Sequence, residues 1–329
     1  MGKDNKLINF TAASGKYPLK VAMDDDLKDS IKAGKGIIPI HIQFFPTNVC
    51  NLRCPWCSCD GRDRNKEMNF EEIMEMIALF KKCGTKAITI TGGGEPLMHK
   101  RINEIINFIS IMDIKMGIVT NGTLLNHIPL DFNKLTWVRV SMGDGKAIPT
   151  DFWTNLEITV NKYKTDWSFS YVLTPSPDYD LINEMVKFGN KYNFTHIRLV
   201  TNILESKDMT TIIDLIKDHL KRQETPDALV IYQNRTAYTP GSNKCKISLL
   251  KPVINADGNV FPCCGVQYAL EHPNKKMEDS MIMGHWRDIV TILNKDMYFD
   301  GSVCVKCYYS HYNELLDAMT SPIMHNEFL

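Results

Sequence analysis

Short apolar segments alternate with amphipathic segments along most of the chain. Runs typical of buried strands lie at 36–46, 87–91, 115–120, 137–142, 167–173, 196–200 and 228–233. The segments between them carry apolar residues at helical spacing, as in 70–82, which follows the candidate N-cap Asn69. Helices are therefore predicted near 70–82, 101–111, 151–163, 180–192 and 207–222. This alternation predicts a parallel sheet with crossover helices.

The number of strand–helix units indicates the architecture. About six units are too few for a closed eightfold barrel, so we predict an α/β protein with a partial (βα)6 barrel. In such sheets the chemistry lies at the carboxyl ends of the strands. The segments that fall there are a cysteine loop after the first strand, GGGEP at 92–96, TNG at 120–122 and SMGDG at 141–145. We expect them to meet on one rim of the sheet.

Composition limits the class of protein. The chain has 329 residues, 44% of them hydrophobic, which is enough for a large domain with or without a smaller one. Lys and Arg total 38, and so do Asp and Glu, so net charge gives no indication of nucleic acid or membrane binding. The N-terminus lacks the apolar core of a signal peptide, and no apolar stretch approaches a membrane span. We therefore expect a cytoplasmic protein.

The ten cysteines fall mainly into two groups. In a reducing compartment, clustered cysteines are more often metal ligands or catalytic groups than disulfides. One group is Cys50, Cys54, Cys57 and Cys59, the other is Cys245, Cys263, Cys264, Cys304 and Cys307, and Cys83 lies apart. Two sites in two structural units are expected. We assign 1–36 to an N-terminal extension, 37–233 to the barrel and 234–329 to a domain for an auxiliary site.

The first group has the spacing C-x3-C-x2-C, formed by Cys50, Cys54 and Cys57. A zinc site would need a fourth ligand. Cys59 is available, but it would crowd four ligands into ten residues. An iron–sulfur cube accepts three cysteines, and its fourth iron can stay open to a small molecule. With Trp56 before the last cysteine and GGGEP one unit later, the pattern resembles the signature of the radical S-adenosylmethionine (SAM) superfamily.

The resemblance implies a 4Fe–4S cluster and SAM as cofactors, with the open iron bound by SAM. One electron then cleaves SAM to methionine and a 5′-deoxyadenosyl radical, which takes hydrogen from the substrate. The electron would come from an external donor such as flavodoxin or ferredoxin. The residues that match SAM-binding positions of the family are Gly92, Gly93, Gly94 and Glu95 for the amino group, Asn121 and Ser141 for methionine and ribose, and Trp56 beside adenine. A bare strand-to-helix turn and a core aromatic are the alternatives for GGGEP and Trp56.

The second group suggests a closed site. INADGNVFPC predicts two short strands around an Asp-Gly turn, which would bring Cys245 and Cys263 together. Cys304 and Cys307 follow as a C-x2-C pair, so four thiolates are available. The pattern resembles the SPASM/twitch extension, which implies an auxiliary 4Fe–4S cluster. No cysteine follows Cys307, so we expect one auxiliary cluster, with structural zinc as the alternative.

The type of reaction depends on the fate of the substrate radical. The auxiliary cluster could take an electron from that radical, which would make the protein a dehydrogenase, an oxidoreductase. Alternatively, Cys264 could return a hydrogen atom as the catalytic residue of an epimerase. Because neighbouring strand residues point to opposite faces, Cys264 is expected to point away from the iron at Cys263 and into the core. That orientation favours oxidation.

Two further alternatives concern the class of protein. A peptide-modifying (RiPP) maturase is one, although residues 1–36 are too few for a leader-peptide domain. An iron–sulfur electron carrier is the other, although it would not need GGGEP or an open three-cysteine site. The substrate is expected to be a small molecule or a peptide. Arg139 and Arg198 should point toward the barrel, where they could anchor a carboxylate, a phosphate or hydroxyls, or form structural ion pairs.

Overall fold

The computed structural model describes residues 20–21, 23–33, 39–205, 207–234, 239–294 and 298–321. The strands are β1 His41–Phe44, β2 Ala87–Ile90, β3 Lys115–Thr120, β4 Trp137–Gly143, β5 Asp166–Leu173, β6 His196–Thr201, β7 Val230–Gln233, β8 Val253–Ile254, β9 Asn259–Phe261 and β10 Gly284–His285. The helices are α1 Asp25–Ala33, α2 Phe70–Lys82, α3 Ile102–Ile111, α4 Phe152–Lys162, α5 Tyr179–Lys191, α6 Thr210–Arg222, α7 Ile247–Leu250, α8 Ile289–Asn294 and α9 Ser310–Thr320. No helix in these ranges is long and apolar enough to cross a membrane.

The strands form one sheet in the order β10-β9-β8-β1-β2-β3-β4-β5-β6-β7. Neighbours from β8 to β7 in this order are parallel, whereas β8, β9 and β10 are antiparallel. The end strands β10 and β7 do not pair with each other, so the described part of the sheet stays open. This confirms the predicted partial barrel. The first predicted strand begins at His41, and residues 36–38 lie outside the described residues.

Helix α2 illustrates how the helices pack on the sheet. Asn69 caps it by accepting a 2.8 Å hydrogen bond from the Glu72 amide. Ile73, Met76 and Phe80 recur on one face and are fully buried. Burying a large apolar side chain contributes about 1.5–3 kcal/mol relative to leaving it exposed, so this face holds the helix on the sheet.

The predicted hairpin around the Asp-Gly turn is formed by β8 and β9. Gly258 has a φ of +82°, a left-handed conformation that glycine adopts without strain. Strand β8 also pairs with β1, through Gln43 opposite Val253 and Phe44 opposite Ile254. The C-terminal segment therefore continues the barrel sheet beside the strand that leads into the cysteine loop. The boundary at residue 234 stays a prediction.

Candidate active site

A cavity of about 810 Å³ lies inside the barrel. Binding pockets for small molecules span about 300–1,000 Å³, so it is large enough for a cofactor and a substrate group. The predicted site residues that line it are Cys50, Cys54, Trp56, Cys57, Gly92, Gly93, Gly94, Glu95, Asn121, Ser141 and Cys264. The structure therefore brings together residues that are far apart in sequence, although their individual roles stay predictions.

The three glycines after β2 pack against the cysteine loop. The amide of Gly94 donates to the carbonyl of Thr47 at 3.1 Å. A Cβ on Gly94 would lie 2.2 Å from the carbonyl oxygen of Val49, and one on Gly93 would lie 2.3 Å from Oδ1 of Asn48. Glycine is therefore needed here for the close approach of two protein segments. This contact between two protein segments was not predicted from the sequence.

Glu95 joins the ends of two strands. Its carboxylate accepts hydrogen bonds from the amides of Leu97 at 3.1 Å and Asn121 at 2.6 Å, and from the Thr120 hydroxyl at 2.7 Å. Burial raises the pKa of Glu95, and these hydrogen bonds oppose that effect. A carboxylate has about four lone-pair positions, so three donors leave about one unused.

Lys146 was not identified from the sequence, but it holds the ends of β3 and β4 together. Its Nζ donates to the carbonyls of Asn121 at 2.6 Å and Ser141 at 2.8 Å, and the residue is 8% exposed. Burial lowers its pKa to about 8, while Cys54 and Glu95 raise it. The available signal was its position directly after the strand-end segment SMGDG.

Asn121 uses its side chain to join the same region to the cysteine loop. Its Nδ2 donates to Oδ1 of Asn51 at 2.9 Å, and its Oδ1 accepts from the amide of Thr123 at 2.9 Å. The side chain is therefore held in one orientation. A SAM contact through this residue stays a prediction.

Trp56 lies between the cysteine loop and the end of β4. A Cβ on Gly143 would lie 2.5 Å from Cε2 of the indole, so the absence of a side chain there makes room for the ring. The indole Nε1 donates to the carbonyl of Asp144 at 2.9 Å. Trp56 is thus packed against protein and also lines the cavity. This position is compatible with both predictions for Trp56, a ring packed in the core and a ring beside the adenine of SAM.

The donor set of the cysteine loop fits an iron–sulfur cluster. Burial raises the pKa of the Cys54 thiol to about 11; Lys146 opposes this, and Cys57 and Cys50 add to it. A metal must therefore displace protons to bind these thiols. The amide of Leu52 donates to Sγ of Cys50 at 3.5 Å, as is common for cluster ligands.

A site for a single metal ion has a different geometry from a site for a cluster. Within the described residues, no group of three or more His, Cys, Asp or Glu side chains is arranged to hold a single metal ion. The thiolates of a four-iron cube each bind a different iron, so they are spaced more widely than the ligands of one ion. This finding therefore does not bear on a cluster.

The second cysteine group also converges. Burial raises the pKa of Cys263, and Cys245 and Cys304 raise it further because they are close enough to interact. Cys307 likewise adds to the raised pKa of Cys304, about 12, and of Cys245, about 11. The amide of Gly265 donates to Sγ of Cys263 at 3.2 Å. These four thiols fit the expected auxiliary centre, whose metal content stays a prediction.

Cys264 packs against the buried apolar core, as expected, but not against the core alone. Its Sγ is 3.6 Å from the Tyr309 hydroxyl, and it lines the cavity, whereas Cys263 is not among the lining residues. Strand β9 ends at Phe261 and Cys264 begins a short 3-10 helix, so strand alternation does not set its direction. Cys264 faces the cavity as well as the core. A position in the core alone therefore no longer favours oxidation.

Comparison with known proteins identifies the barrel. Residues 44–143 match the family model described as the radical SAM superfamily. A probable GTP 3′,8-cyclase of Archaeoglobus fulgidus is 25% identical over 311 residues, 82% of this chain and 100% of that protein. Another of Methanocaldococcus jannaschii is 40% identical over 100 residues, 30% of this chain and 33% of that protein.

Solved structures show the same fold. Streptococcus suis SuiB bound to S-adenosylmethionine has a TM-score of 0.60 at 15% identity, covering 84% of this chain and 74% of that chain. The structure titled native anSMEcpe with bound AdoMet and Cp18Cys peptide has a TM-score of 0.51 at 16% identity, covering 87% and 84%. The family match confirms the predicted radical SAM signature within residues 44–143, and the solved structures confirm the fold.

Proposed function

We propose that this radical SAM enzyme takes a hydrogen atom from a substrate held in the barrel cavity and returns one from Cys264. A 4Fe–4S cluster on Cys50, Cys54 and Cys57 would supply the electron that cleaves SAM and so the 5′-deoxyadenosyl radical. Cys264 on the cavity wall is the observation that carries the proposal. The net reaction would be an epimerisation, in which the substrate carbon is neither oxidised nor reduced.

The residues of the chain hold the reactants. The turn of Gly92, Gly93 and Gly94 lies against the cysteine loop, so carbonyls and the Glu95 carboxylate can accept from the SAM ammonium beside the cluster. Asn121 and Ser141 lie at the ends of neighbouring strands, and Lys146 fixes both of their carbonyls. These contacts keep the SAM side of the cavity preorganised.

The return of hydrogen from Cys264 can be written with its bonds, electron and proton accounted for. The S–H bond of Cys264 breaks and a C–H bond forms on the opposite face of the substrate carbon, which leaves a sulfur radical. One electron and one proton restore the thiol. Cys264 interacts with Cys263, and Cys245 and Cys304 interact with Cys263 in turn. A redox centre held by the auxiliary thiols would therefore be near enough to supply the electron.

Oxidation is the second candidate, and the same proximity favours it. A substrate radical beside Cys264 would also be close to the auxiliary site, since Cys263 is the adjacent residue. The protein would then be an oxidoreductase of the dehydrogenase type. Peptide modification stays open too, because the solved relatives include one titled as bound to a peptide.

The products separate these outcomes. The reconstituted enzyme, a reductant and SAM are incubated in deuterated water with a small-molecule extract and, separately, with peptide pools, and the products are analysed by mass spectrometry. Hydrogen return predicts a product that gains one deuterium without other change. The Cys264→Ala variant should lose this product while still cleaving SAM.

The matched control is Cys83→Ala, a substitution on the C-cap of α2 outside the cavity lining, which should behave like the parent. A product that is lighter by two hydrogens in both the parent and the Cys264→Ala variant would replace our proposal with oxidation.

A further inference from the structure

Three basic side chains line the cavity on the side of β4, β6 and β8. They are Arg139 on β4, Arg198 on β6 and Lys251, which lies directly before β8. Ser141 is in register with Ser170, and Ser170 is in register with Arg198, so Arg198 is level with Ser141. Arg139 is two residues earlier on β4, which is about 7 Å deeper along the strand. The cations thus lie at and below the level of the SAM-side rim.

One nitrogen of the Arg139 guanidinium, Nε, is fully buried without a hydrogen-bond partner in the described structure. The nearest aromatic ring is that of Trp137, whose centroid is 5.2 Å from Cζ. Trp137 itself lies against Gly117, where a Cβ would come within 2.0 Å of the indole. The Arg139 guanidinium therefore lies over the Trp137 ring, and Arg139 lines the cavity.

Lys251 and Arg198 add positive charge to the same space. Lys251 is 9% exposed, and its Nζ lies 5.7 Å from the centroid of the Tyr309 ring, next to the wall that carries Cys264. The guanidinium of Arg198 donates to Oγ of Ser170 at 2.9 Å, and this acceptor is neutral. Two of the three cations thus flank the part of the cavity nearest the thiol and the Ser141 rim.

These charges act on one another. Burial lowers the pKa of Arg139 to about 9, with Arg198 adding to this effect and Tyr308 opposing it. Burial also lowers the pKa of Lys251. Arg139 and Arg198 add to this effect, whereas Cys264 and Cys263 oppose it. Buried like charges are unfavourable unless an anion compensates them.

The acidic residues of the cavity wall are already engaged. Glu95 accepts three hydrogen bonds at the ends of β2 and β3. Asp24 pairs with Lys86 at 2.8 Å and accepts from the amide of Leu27 at 3.1 Å. An anionic group on a molecule that enters the cavity would compensate these cations.

We propose that the substrate carries a carboxylate or a phosphate group, and that Arg139, Arg198 and Lys251 bind this group deep in the cavity. The inference rests on the proposed function in one respect, namely that the anion belongs to the molecule that gives up the hydrogen atom. Guanidinium groups bind both kinds of anion through paired N–H donors. With its charged end held near Arg139, the substrate extends toward Cys264 and the cysteine loop.

The test measures anion binding without turnover. The anaerobically reconstituted protein is titrated with inorganic phosphate and, separately, with succinate, and its melting temperature is compared with that in sodium chloride of equal ionic strength. A saturable rise with phosphate alone indicates a phosphorylated substrate, and a rise with succinate alone indicates a carboxylate. A rise with both supports the shared site. No rise with either anion would overturn the proposal.

Variants locate the effect. Arg139→Gln and Lys251→Met should each weaken the anion response at least tenfold, whereas Arg222→Gln, on the exposed end of α6, should respond like the parent. In chloride buffer without phosphate or succinate, Arg139→Gln should melt no lower than the parent, because it removes a charge whose buried Nε has no hydrogen-bond partner in the described structure. A lower melting temperature with an undiminished anion response would show that Arg139 is structural. If Arg139→Gln does not fold, the anion response of Lys251→Met decides: an undiminished response would overturn the proposal.

Failure of this inference is distinguishable from failure of the proposed function. Anion binding requires neither SAM cleavage nor Cys264. A parent enzyme that binds phosphate or succinate but yields no deuterated product would refute hydrogen return and leave the anion site intact. A deuterated product that carries no anionic group would refute the anion site and leave hydrogen return intact.

Discussion

The indole nitrogen of Trp56 donates a 2.9 Å hydrogen bond to the carbonyl oxygen of Asp144, 88 residues away in the sequence. The Asp144 carboxylate in turn accepts from the amides of Thr174 at 3.0 Å and Asp178 at 2.9 Å, and from the Tyr171 hydroxyl. The cysteine loop is therefore connected through one aspartate to the ends of β4 and β5. This connection sets the orientation of the Trp56 ring.

The first prediction concerns this contact. Trp56→Phe removes the hydrogen bond, which is worth about 0.5–1.5 kcal/mol. The SAM dissociation constant should rise about two- to twelvefold, because 1.4 kcal/mol corresponds to a factor of ten. Equilibrium binding of SAM to the reconstituted protein measures it. Trp153→Phe, on α4 outside the cavity lining, is the control and should bind SAM as the parent does.

A second substitution tests the same contact from the other side. Gly143→Ala would put a Cβ 2.5 Å from the Trp56 ring, so the ring must move. Its effect on SAM affinity should exceed that of Trp56→Phe. Equal affinity in parent and Gly143→Ala would show that the position of the ring does not matter for SAM.

The next prediction compares two glycines of the GGGEP turn. Gly94→Ala would meet the backbone of Val49 and Asn48, whereas Gly93→Ala would meet mainly the Asn48 side chain, which can rotate away. Overpacking costs about 1–3 kcal/mol, and a backbone neighbour cannot relax easily. Gly94→Ala should therefore lower the iron content of the cysteine-loop site much more than Gly93→Ala. Iron and sulfide analysis after reconstitution checks this, and the reverse order would contradict the packing role.

A third prediction concerns the metal. Two four-iron clusters require about eight irons per chain, each cluster with cysteine ligands. Replacing Cys50, Cys54 and Cys57 together by alanine should remove about half of the iron and abolish SAM cleavage. Replacing Cys304 and Cys307 should remove the other half. Stoichiometric zinc in the protein as isolated would argue for a structural zinc at the second site.

The same variants separate the functions of the two sites. The Cys304 and Cys307 variant, if folded by circular dichroism, should still cleave SAM with dithionite but fail to complete turnover. Equal loss of SAM cleavage in both variants would contradict a separate role for the auxiliary site.

The fourth prediction concerns the pH dependence of stability through Lys146. Its pKa is about 8 in the folded protein and 10.5 when unperturbed, so between these values the unfolded chain binds more protons. Stability must then rise with pH across this window, by up to about 1.4 kcal/mol per pH unit. The stability advantage of the parent over Lys146→Met should therefore grow from pH 8 to 10.5. Thermal unfolding of both proteins across this pH range measures the stability difference. A difference that stays constant or falls with pH would contradict a buried Lys146 whose pKa is lowered.

Local patterns were sufficient for the secondary structure and the kind of chemistry. Strand and helix positions follow from apolar spacing, and the seven predicted strands from β1 to β7 all form. The spacing of Cys50, Cys54 and Cys57 together with GGGEP was enough to identify a radical SAM domain, because those ligands lie close together along the chain. The Asp-Gly hairpin was likewise predictable, since a tight turn depends on neighbouring residues.

Contacts between distant segments were decided only by the tertiary structure. Strand β8 pairs with β1, more than 200 residues earlier, and this pairing brings Lys251 into the same cavity as Arg139. No periodicity encodes such a pairing, because it depends on which apolar edges are left to be covered. For the same reason, the alternation expected for Cys263 and Cys264 gave no indication of the cavity beside Cys264, which begins a 3-10 helix and does not lie in a strand. Whether a side chain meets closed core or open space depends on what the rest of the chain leaves unfilled.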